Sequence, residues 1–563
     1  MSAEHPQLED LLEKFGHQEF KDGQREALRA LLSGRDVIAI LPTGAGKSLI
    51  YQLASQLLPG VTLVVTPLLA LMSDQLEAME EVGVKAVGFS SLYPETREAL
   101  EGIKRGEIKL VYVTPEGATG GNLREELDDR PVSLFVVDEA HCISEWGYDF
   151  RPSYLQLGEV VEEVGRPPVL ALTATATPWV RQDIARTLGM RDPLVVAHGF
   201  DRPNLFLQVH RLEQHEDERQ VLEALLSGQV EAYTEEVSAR IRRALEGPGL
   251  IYTNTTRAAE ETAGWLKEMG IPAGYYHGRR RKSERERVQQ DFMEGKLRVV
   301  VATNAFGMGI DKPDVRFVIH RDAPASLEAY YQEAGRAGRD GEFAFCCLLH
   351  KDEDLEKAAF MAGSSDLTLD EVRQVYQALR KIRRRELEDI QEETGLGRSL
   401  IVRALMALER SGFIRQEEDR ILLTRKRFDP QQVSLEEEHA RREYERSRLE
   451  MMRSYMESPG CRREFILNYF GEQMRGERCN MCDNDLLGRR PRASRVDHPF
   501  EVGQRVRHPS LGDGTVHRIE GDKITVLFAS KGYRELSLEH IVREGLLAPL
   551  SQDDRQPSGL ERR

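Results

Sequence analysis

The segment LPTGAGKS, residues 41–48, follows an apolar run and precedes KSLIYQLASQLL, a helix-forming stretch. That setting is what a phosphate-binding loop requires. Gly44 and Gly46 let the backbone N–H groups of Thr43, Gly44, Ala45 and Gly46 approach phosphate oxygens, and the helix N-terminus adds a favourable dipole. Lys47 is placed to reach the β- and γ-phosphates of ATP, and Ser48 to ligate Mg²⁺. Leu41 stands where the general G-x-x-x-x-G-K-[ST] pattern has its first glycine, so the strand–loop–helix context carries the reading. FVVDEAH ends another apolar run: Asp138 is placed to hold Mg²⁺, directly or through water, and Glu139 to orient and deprotonate the attacking water. YYQEAGRAGRDG, residues 330–341, supplies positive charge for the developing γ-phosphate. Either Arg336 or Arg339 can serve as an arginine finger, a device worth roughly 10³ to 10⁵ in rate.

Such chemistry needs rigid elements to hold these loops. The runs DVIAIL, VTLVVTP, IKLVYVTP, VSLFVVDE and PVLALTAT, then GLIYTNT, LRVVVATN, VRFVIHRD and FAFCCLLH, alternate with helical stretches between Val37 and Leu349. Short, β-branched apolar runs read as strands buried on both faces, and their alternation with helices predicts an α/β fold of parallel βαβ units. A chain of 563 residues exceeds one core, and two sheets fit better than one, in lobes spanning 1–205 and 206–350. The polar stretch 211–249 is expected to supply helices and a loop early in the second lobe. Beyond it, 365–428 has the outline of a winged helix, with Leu400, Ile401, Ala404, Leu405 and Leu408 on one helix face and Arg398 and Arg403 as candidate DNA contacts. Residues 430–487 read as a long basic helix and a second helix entering a cysteine cluster. A linker at 488–497, a small β-barrel of short strands at 498–550 and a disordered tail at 551–563 complete the chain.

Composition sets outer limits. Hydrophobic content of 40% and charged content of 31% are those of an ordinary soluble protein. No apolar run approaches the roughly 18 to 20 residues that span a bilayer, and MSAEHPQLEDLLEKFG lacks the features of a signal peptide. A cytoplasmic protein with no membrane partner is expected. Six cysteines do not make a disulfide framework, and Cys142, Cys346 and Cys347 read as buried small hydrophobes. The net charge of −16 argues against wholesale coating of nucleic acid. It leaves room for a local basic groove, because screening limits what DNA feels to about 8 Å.

Seven ordered segments, FGHQEFKDGQREAL, LPTGAGKSLIYQ, TPLLALMSDQ, DEAHCISEWGYDFRP, LALTATAT, ATNAFGMGIDKPDVRFVIH and YYQEAGRAGRDG, resemble the RecQ family of superfamily 2 DNA helicases over roughly Leu8 to Leu349. The resemblance implies two RecA-like lobes closing on ATP. It implies that Gln24 reads the adenine edge, that Thr173 and Thr175 couple the lobes, and that Gln332 joins Arg336 and Arg339 in sensing the γ-phosphate. It also implies that Trp146, Phe150 and Arg151 form an aromatic loop that reports bound DNA to Glu139. His17 and Lys21 stand where relatives stack an aromatic residue and an arginine on adenine, and Leu69, Ala70 and Ala334 are further departures.

CRREFILNYFGEQMRGERCNMCDND resembles the zinc module of the same family, which carries four cysteines. Cys461, Cys479 and Cys482 match it, and Asp485 takes the fourth place, with Asp483 or His498 as substitutes; zinc accepts a carboxylate oxygen. In many bacterial relatives the winged helix follows this module rather than preceding it. EVGQRVRHPSLGDGTVHRIEGDKITVLF resembles the Tudor-like C-terminal barrel of UvrD-type helicases, which implies docking to RNA polymerase or another protein. The function expected is therefore a bacterial, nucleoid-associated DNA helicase using ATP, Mg²⁺ and a structural Zn²⁺. It would move 3′ to 5′ on single-stranded DNA and open tailed or forked duplexes in repair and recombination. The alternative is an ATP-driven translocase that remodels DNA-bound protein with little unwinding.

Overall fold

The computed structural model describes residues 7–550 apart from 43, 68, 90–96, 120–126, 128–129, 145–151, 214–216, 232, 307–311, 352–366, 383–386, 418–419, 426, 475–477, 490–495 and 529–530. In the first lobe β1 (Val37–Ile40), β2 (Val61–Val65), β3 (Ala86–Phe89), β4 (Leu110–Val113), β5 (Val132–Val137), β6 (Val169–Thr173) and β7 (Leu194–Ala197) form a parallel sheet in the order β3-β4-β2-β5-β6-β1-β7. In the second, β8 (Leu205–Arg211), β9 (Gly249–Tyr252), β10 (Ala273–Tyr276), β11 (Val299–Ala302), β12 (Phe317–His320) and β13 (Ala344–His350) form another in the order β10-β11-β9-β12-β13-β8. These are two tandem RecA-like lobes. The polar stretch between β8 and β9 forms the helices Glu218–Leu226 and Glu235–Glu246.

The nine runs singled out by composition are all strands, and the four strands they omit, β3, β7, β8 and β10, are the rims of the two sheets. The reason is physical. A central strand is covered on both faces and stays apolar throughout, as in β1, where Ile38 and Ile40 enter one core and Val37 and Ala39 the other. The rim strands β3, β7 and β10 are only partly covered, and their composition need not be continuously apolar; β7 leaves Val195 42% exposed.

Asp36, just ahead of β1, anchors the opposite end of the first sheet. Its carboxylate pairs with Arg166 at 2.6 Å and accepts the N–H groups of Val169 and Arg191, tying together the starts of β1, β6 and β7. Burial works against its charge, but Arg166 and the two N–H groups outweigh that and hold its carboxyl below the usual range.

After the lobes, helices Leu369–Lys381, Leu387–Thr394 and Arg398–Arg410 and the hairpin β14 (Ile414–Glu417) and β15 (Arg420–Leu423) enclose their own core, with Ile401, Ala404, Leu405 and Leu408 buried as the periodicity predicts. Two further helices, Glu436–Glu457 and Arg462–Phe470, lead to the short turn of helix Asp483–Leu486. Last comes an antiparallel sheet of β16 (Arg505–His508), β17 (Gly512–Glu520), β18 (Lys523–Phe528), β19 (Gly532–Ser537) and β20 (Ala548–Pro549) in the order β19-β18-β17-β16-β20. Leu527 and Tyr533 of that sheet belong to the same core as both lobes. Among the described residues no helix is long and apolar enough to cross a membrane.

Candidate functional site

The phosphate loop leaves the C-terminal end of β1 and Asp138 that of β5; β6, ending in Thr173, lies between them. Three loops therefore emerge side by side, the arrangement by which parallel sheets build sites at their carboxyl ends. Gly44 and Gly46 hold φ of +81° and +69°, a conformation natural to glycine. Thr43 lies outside the described residues. Lys47 opens the helix Lys47–Leu57, followed by Ser48, and its Nζ lies 3.3 Å from Leu41 O. Gln75, from TPLLALMSDQ, accepts hydrogen bonds from Tyr51 and Gln52 of that helix at 3.0 Å each. That link to the phosphate loop was not visible in the sequence.

Asp138 is partly buried, with its Oδ1 accepting the Glu139 N–H at 3.0 Å. Burial, and then the charge of Glu139 beside it, push its carboxyl up to about 6 against the pull of Lys47. Glu139 itself occupies the left-handed region at φ +47°, a conformation that costs energy for any residue but glycine and that clusters at functional sites. His141 Nδ1 lies 3.0 Å from Thr173 Oγ1 and 3.3 Å from Glu139 Oε2. Glu139 Oε2 is buried, its ion pair with His141 being longer than a well-formed hydrogen bond. Burial opposes ionisation of Glu139, yet His141, Lys47 and, from the other lobe, Arg336 outweigh it and hold its carboxyl below the usual range. Thr173 Oγ1 donates to Thr175 O at 3.0 Å and accepts the Thr175 N–H. His141 thus joins the acidic pair to the Thr173–Thr175 segment.

The second lobe contributes helix Leu327–Ala334, bearing buried Gln332, and the turn beyond it. Arg336 is 4% exposed, and its Nε has no hydrogen-bond partner among the described residues. Tyr252 donates its hydroxyl hydrogen to Phe306 O at 2.9 Å, and Arg336 hydrogen-bonds the same phenol oxygen. Arg339 lies across the phosphate loop: a Cβ on Gly44 would stand 3.3 Å from its Cγ. The structure therefore brings Lys47, Asp138, Glu139, Thr173, Thr175, Arg336 and Arg339 together. Two orphaned buried atoms, Glu139 Oε2 and Arg336 Nε, suit a nucleotide γ-phosphate and its attacking water.

Gln24 is 2% exposed and turned onto the phosphate loop, donating to Ala45 O at 2.8 Å and Gly46 O at 2.9 Å and accepting the Lys21 N–H. Lys21 Nζ donates to Gly44 O at 2.7 Å, and His17 is exposed. Trp146, Phe150 and Arg151 lie outside the described residues. Arg398 is exposed, 3.9 Å from Glu388. Arg403 departs from its expected exposure: it is ion-paired to Glu438 with both side chains only 12% exposed, a strut between two helices. An arginine every few residues on an amphipathic helix looks alike in sequence whether it faces solvent or a neighbouring helix.

Among the described residues the ligand atoms of Cys461, Cys479, Cys482 and Asp485 all lie within 4.8 Å of one another. Hydrogen bonds from Cys479 and Cys482 hold the Cys461 thiol far below its usual range. The same hydrogen bonds to Cys461, together with burial, hold the Cys479 and Cys482 thiols above their usual range, and a cation is what would let all three ionise together, so the donor set fits zinc. The substitutes for the fourth place are engaged elsewhere. Asp483 pairs with Arg462 at 3.0 Å and accepts the Val209 N–H at 3.0 Å, while His498 stacks on Phe500.

A DEAD/DEAH box helicase model matches residues 21–184, a helicase conserved C-terminal domain model residues 229–341, and a RecQ zinc-binding model residues 413–486. The probable ATP-dependent DNA helicase RecS of Bacillus subtilis is 36% identical over 488 residues, covering 84% of this chain and 92% of that protein. The ATP-dependent DNA helicase RecQ of the same organism is 40% identical over 356 residues, 62% of this chain and 57% of that one; RecQ of Haemophilus influenzae is 34% identical over 471 residues, 83% and 62%. Among solved structures, the DUF1998 helicase MrfA bound to DNA matches with a TM-score of 0.50 at 17% identity, covering 78% of this chain and 61% of that one, a likeness of fold. With the nucleotide-site geometry, the cysteine cluster and these relatives together, the chain belongs to the RecQ family of ATP-dependent DNA helicases.

Proposed function

We propose that the chain hydrolyses ATP with Mg²⁺ to move 3′ to 5′ along single-stranded DNA and to open tailed or forked duplexes in repair and recombination. The observation that supports this most directly is the pair of orphaned polar atoms, one from each lobe: Glu139 Oε2 and Arg336 Nε are buried, and the charge of Arg336 reaches Glu139. Lys47 would bind the β- and γ-phosphates, Glu139 take the proton of the attacking water, and Arg336 with Arg339 and Gln332 meet the charge that develops on the γ-phosphate. A divalent cation held by Ser48 and Asp138 would neutralise phosphate charge. Gln24, with Lys21 and His17, would set the base preference.

Strand displacement on 3′-tailed, 5′-tailed and blunt DNA, beside an RNA duplex, tests the reading. Opening of the 3′-tailed DNA alone is expected. Hydrolysis stimulated by DNA with no strand opened would favour a translocase that remodels bound protein, and opening of RNA would remove the DNA assignment.

The aromatic loop after Glu139 is proposed to couple DNA to hydrolysis through Trp146, Phe150 and Arg151. Stacking of a base on an aromatic ring contributes roughly 1 to 3 kcal/mol, so Trp146→Ala should lose about tenfold or more of the stimulation of hydrolysis by single-stranded DNA. Stimulation equal to wild type in a phosphate-release assay would remove the coupling role.

The unit of three helices and a hairpin at 369–423 is proposed as a winged helix, with Arg398 as its exposed DNA contact. Zinc is proposed on Cys461, Cys479, Cys482 and Asp485. The C-terminal sheet is proposed as a Tudor-like module that docks a protein such as RNA polymerase. Its order of strands and its one-residue slip between Val516 and Arg518 support a small barrel, because bulges bend a sheet toward closure.

A further inference from the structure

The helix that carries Gln332 is gripped from outside its own lobe. Glu328, buried on its first turn, accepts a 2.7 Å hydrogen bond from the Tyr469 hydroxyl and lies 3.3 Å from Arg448 Nε. Arg448 Nη2 also donates at 2.9 Å to Ser326, the residue that caps this helix. Tyr330, two residues on, receives the Tyr455 hydroxyl at 3.2 Å. One turn before Arg448, the Tyr444 hydroxyl is 3.3 Å from Thr177 Oγ1 of the first lobe, so a single face of helix Glu436–Glu457 touches both lobes.

Against the outer side of this helix lies the C-terminal sheet. A Cβ on Gly532 would stand 2.3 Å from Ser447 Oγ, which shows how closely β19 approaches. Tyr533 stacks on Tyr469 with ring centroids 5.2 Å apart and 24° between planes, and lies 6.3 Å from Tyr444. Lys531 and Arg534 flank it, 3.2 and 3.4 Å from Glu443. That ring therefore backs both Tyr444, hydrogen-bonded to Thr177, and Tyr469, hydrogen-bonded to Glu328.

We propose that Glu328 is a positioning residue for hydrolysis, and that the C-terminal sheet, through Tyr533, Tyr469 and Arg448, is the brace that fixes it. A buried carboxylate with directed donors sets the rotation and height of its helix, and Gln332 sits one turn further along the same face. Small misplacements of groups around a reacting phosphate slow the chemical step while leaving nucleotide binding intact. The proposal rests on the reading of Gln332 and Arg336 as nucleotide contacts.

The test uses the full chain with single-stranded DNA and ATP. Tyr533→Ala should lower kcat about tenfold and leave KM for ATP within about twofold, whereas Tyr533→Phe, which keeps the ring, should retain the wild-type kcat. A cavity beneath Tyr533 can loosen the whole sheet, so a second variant removes the ion pair without stranding a charge: Glu328→Gln combined with Arg448→Met should show the same loss of kcat at constant KM. Wild-type kcat in the double variant, or a Tyr533→Ala deficit that vanishes on correcting for the fraction of active sites, overturns the brace. Wild-type kcat in Gln332→Ala would instead remove the nucleotide-contact reading beneath it.

Discussion

Glu139→Gln protein is expected to bind ATP as tightly as wild type and to hydrolyse it about 10³-fold more slowly, the usual range for loss of a general base. The substitution preserves shape. Glutamine can occupy the same pocket and keep an oxygen near His141 Nδ1, which lies 3.3 Å from Glu139 Oε2. What it loses is the ability to accept a proton, on a carboxylate oxygen that is buried without a hydrogen bond among the described residues. The surrounding charges are arranged for an ionised base at this position: Lys47, His141 and Arg336 all favour the carboxylate of Glu139, while Asp138 beside it is pushed the other way. These charges keep Glu139 ionised and so able to accept a proton, while a cation at Asp138 would take the place of the proton that its raised carboxyl otherwise holds. Fluorescent-ATP binding together with steady-state phosphate release checks the expectation. Hydrolysis within about threefold of wild type would move the base elsewhere, because loss of a general base costs about 10²-fold or more.

Closing this site requires both lobes, and the helical module after them is built to hold the lobes in register. Arg181 of the first lobe donates to Phe470 O at 3.0 Å, and Arg463 of the module donates to Arg202 O at 3.1 Å, next to the start of β8. Arg202 in turn donates to Gly335, Ala337 and Gly338 carbonyls at 2.8–3.1 Å, around the turn that presents Arg336. The backbone of that turn is thus fixed by a residue between the lobes. Arg336 can then project an unsatisfied Nε without relaxing onto a nearby carbonyl.

The two sheets and the loops at their carboxyl ends were legible because their signals are local. Doubly buried strands declare themselves by continuous apolar runs, and the phosphate loop by two glycines that must take positive φ. The rim strands were missed for the converse reason. β8, for instance, gains cover from a distant segment: Leu207 N–H bonds to Met481 O at 3.0 Å and Leu207 bridges to Cys482 in parallel fashion. No pattern within LFLQVHR announces a partner so far along the chain. Glu328 escaped notice for a similar reason. In YYQEAGRAGRDG the arginines stand out by type, whereas a glutamate four residues ahead of Gln332 acquires meaning only when Arg448 and Tyr469 arrive beside it. Arg403 errs the other way, a basic residue at helical spacing whose partner Glu438 lies beyond the reach of any local pattern.

Asp483 and Asp485 lie two residues apart beside the same cysteines, and the sequence permits either as a zinc ligand; their substitution should have opposite signatures. Asp483 is 1% exposed and Arg462 3%, with Arg462 Nε 3.0 Å from Asp483 Oδ1 and the other carboxylate oxygen accepting the Val209 N–H of β8. Asp483→Ala leaves a guanidinium buried without its counter-ion and a backbone donor without an acceptor. Breaking one side of a buried pair costs about 3 to 5 kcal/mol. The expected result is a fall in thermal midpoint with zinc still stoichiometric in whatever protein remains folded. Asp485 instead accepts the Cys479 and Asn480 N–H groups on Oδ2 at 2.8 and 3.2 Å, which turns the carboxylate toward the sulfurs. Asp485→Ala should shed zinc to a chelator at concentrations that leave wild type loaded, and Asp485→Cys should restore retention, since thiolate is the stronger zinc ligand. Chelator titration with a zinc-sensitive dye, run beside thermal melts, separates the two. Zinc loss in Asp483→Ala with full retention in Asp485→Ala would reverse the assignment and place the fourth ligand on the residue that the ion pair otherwise occupies.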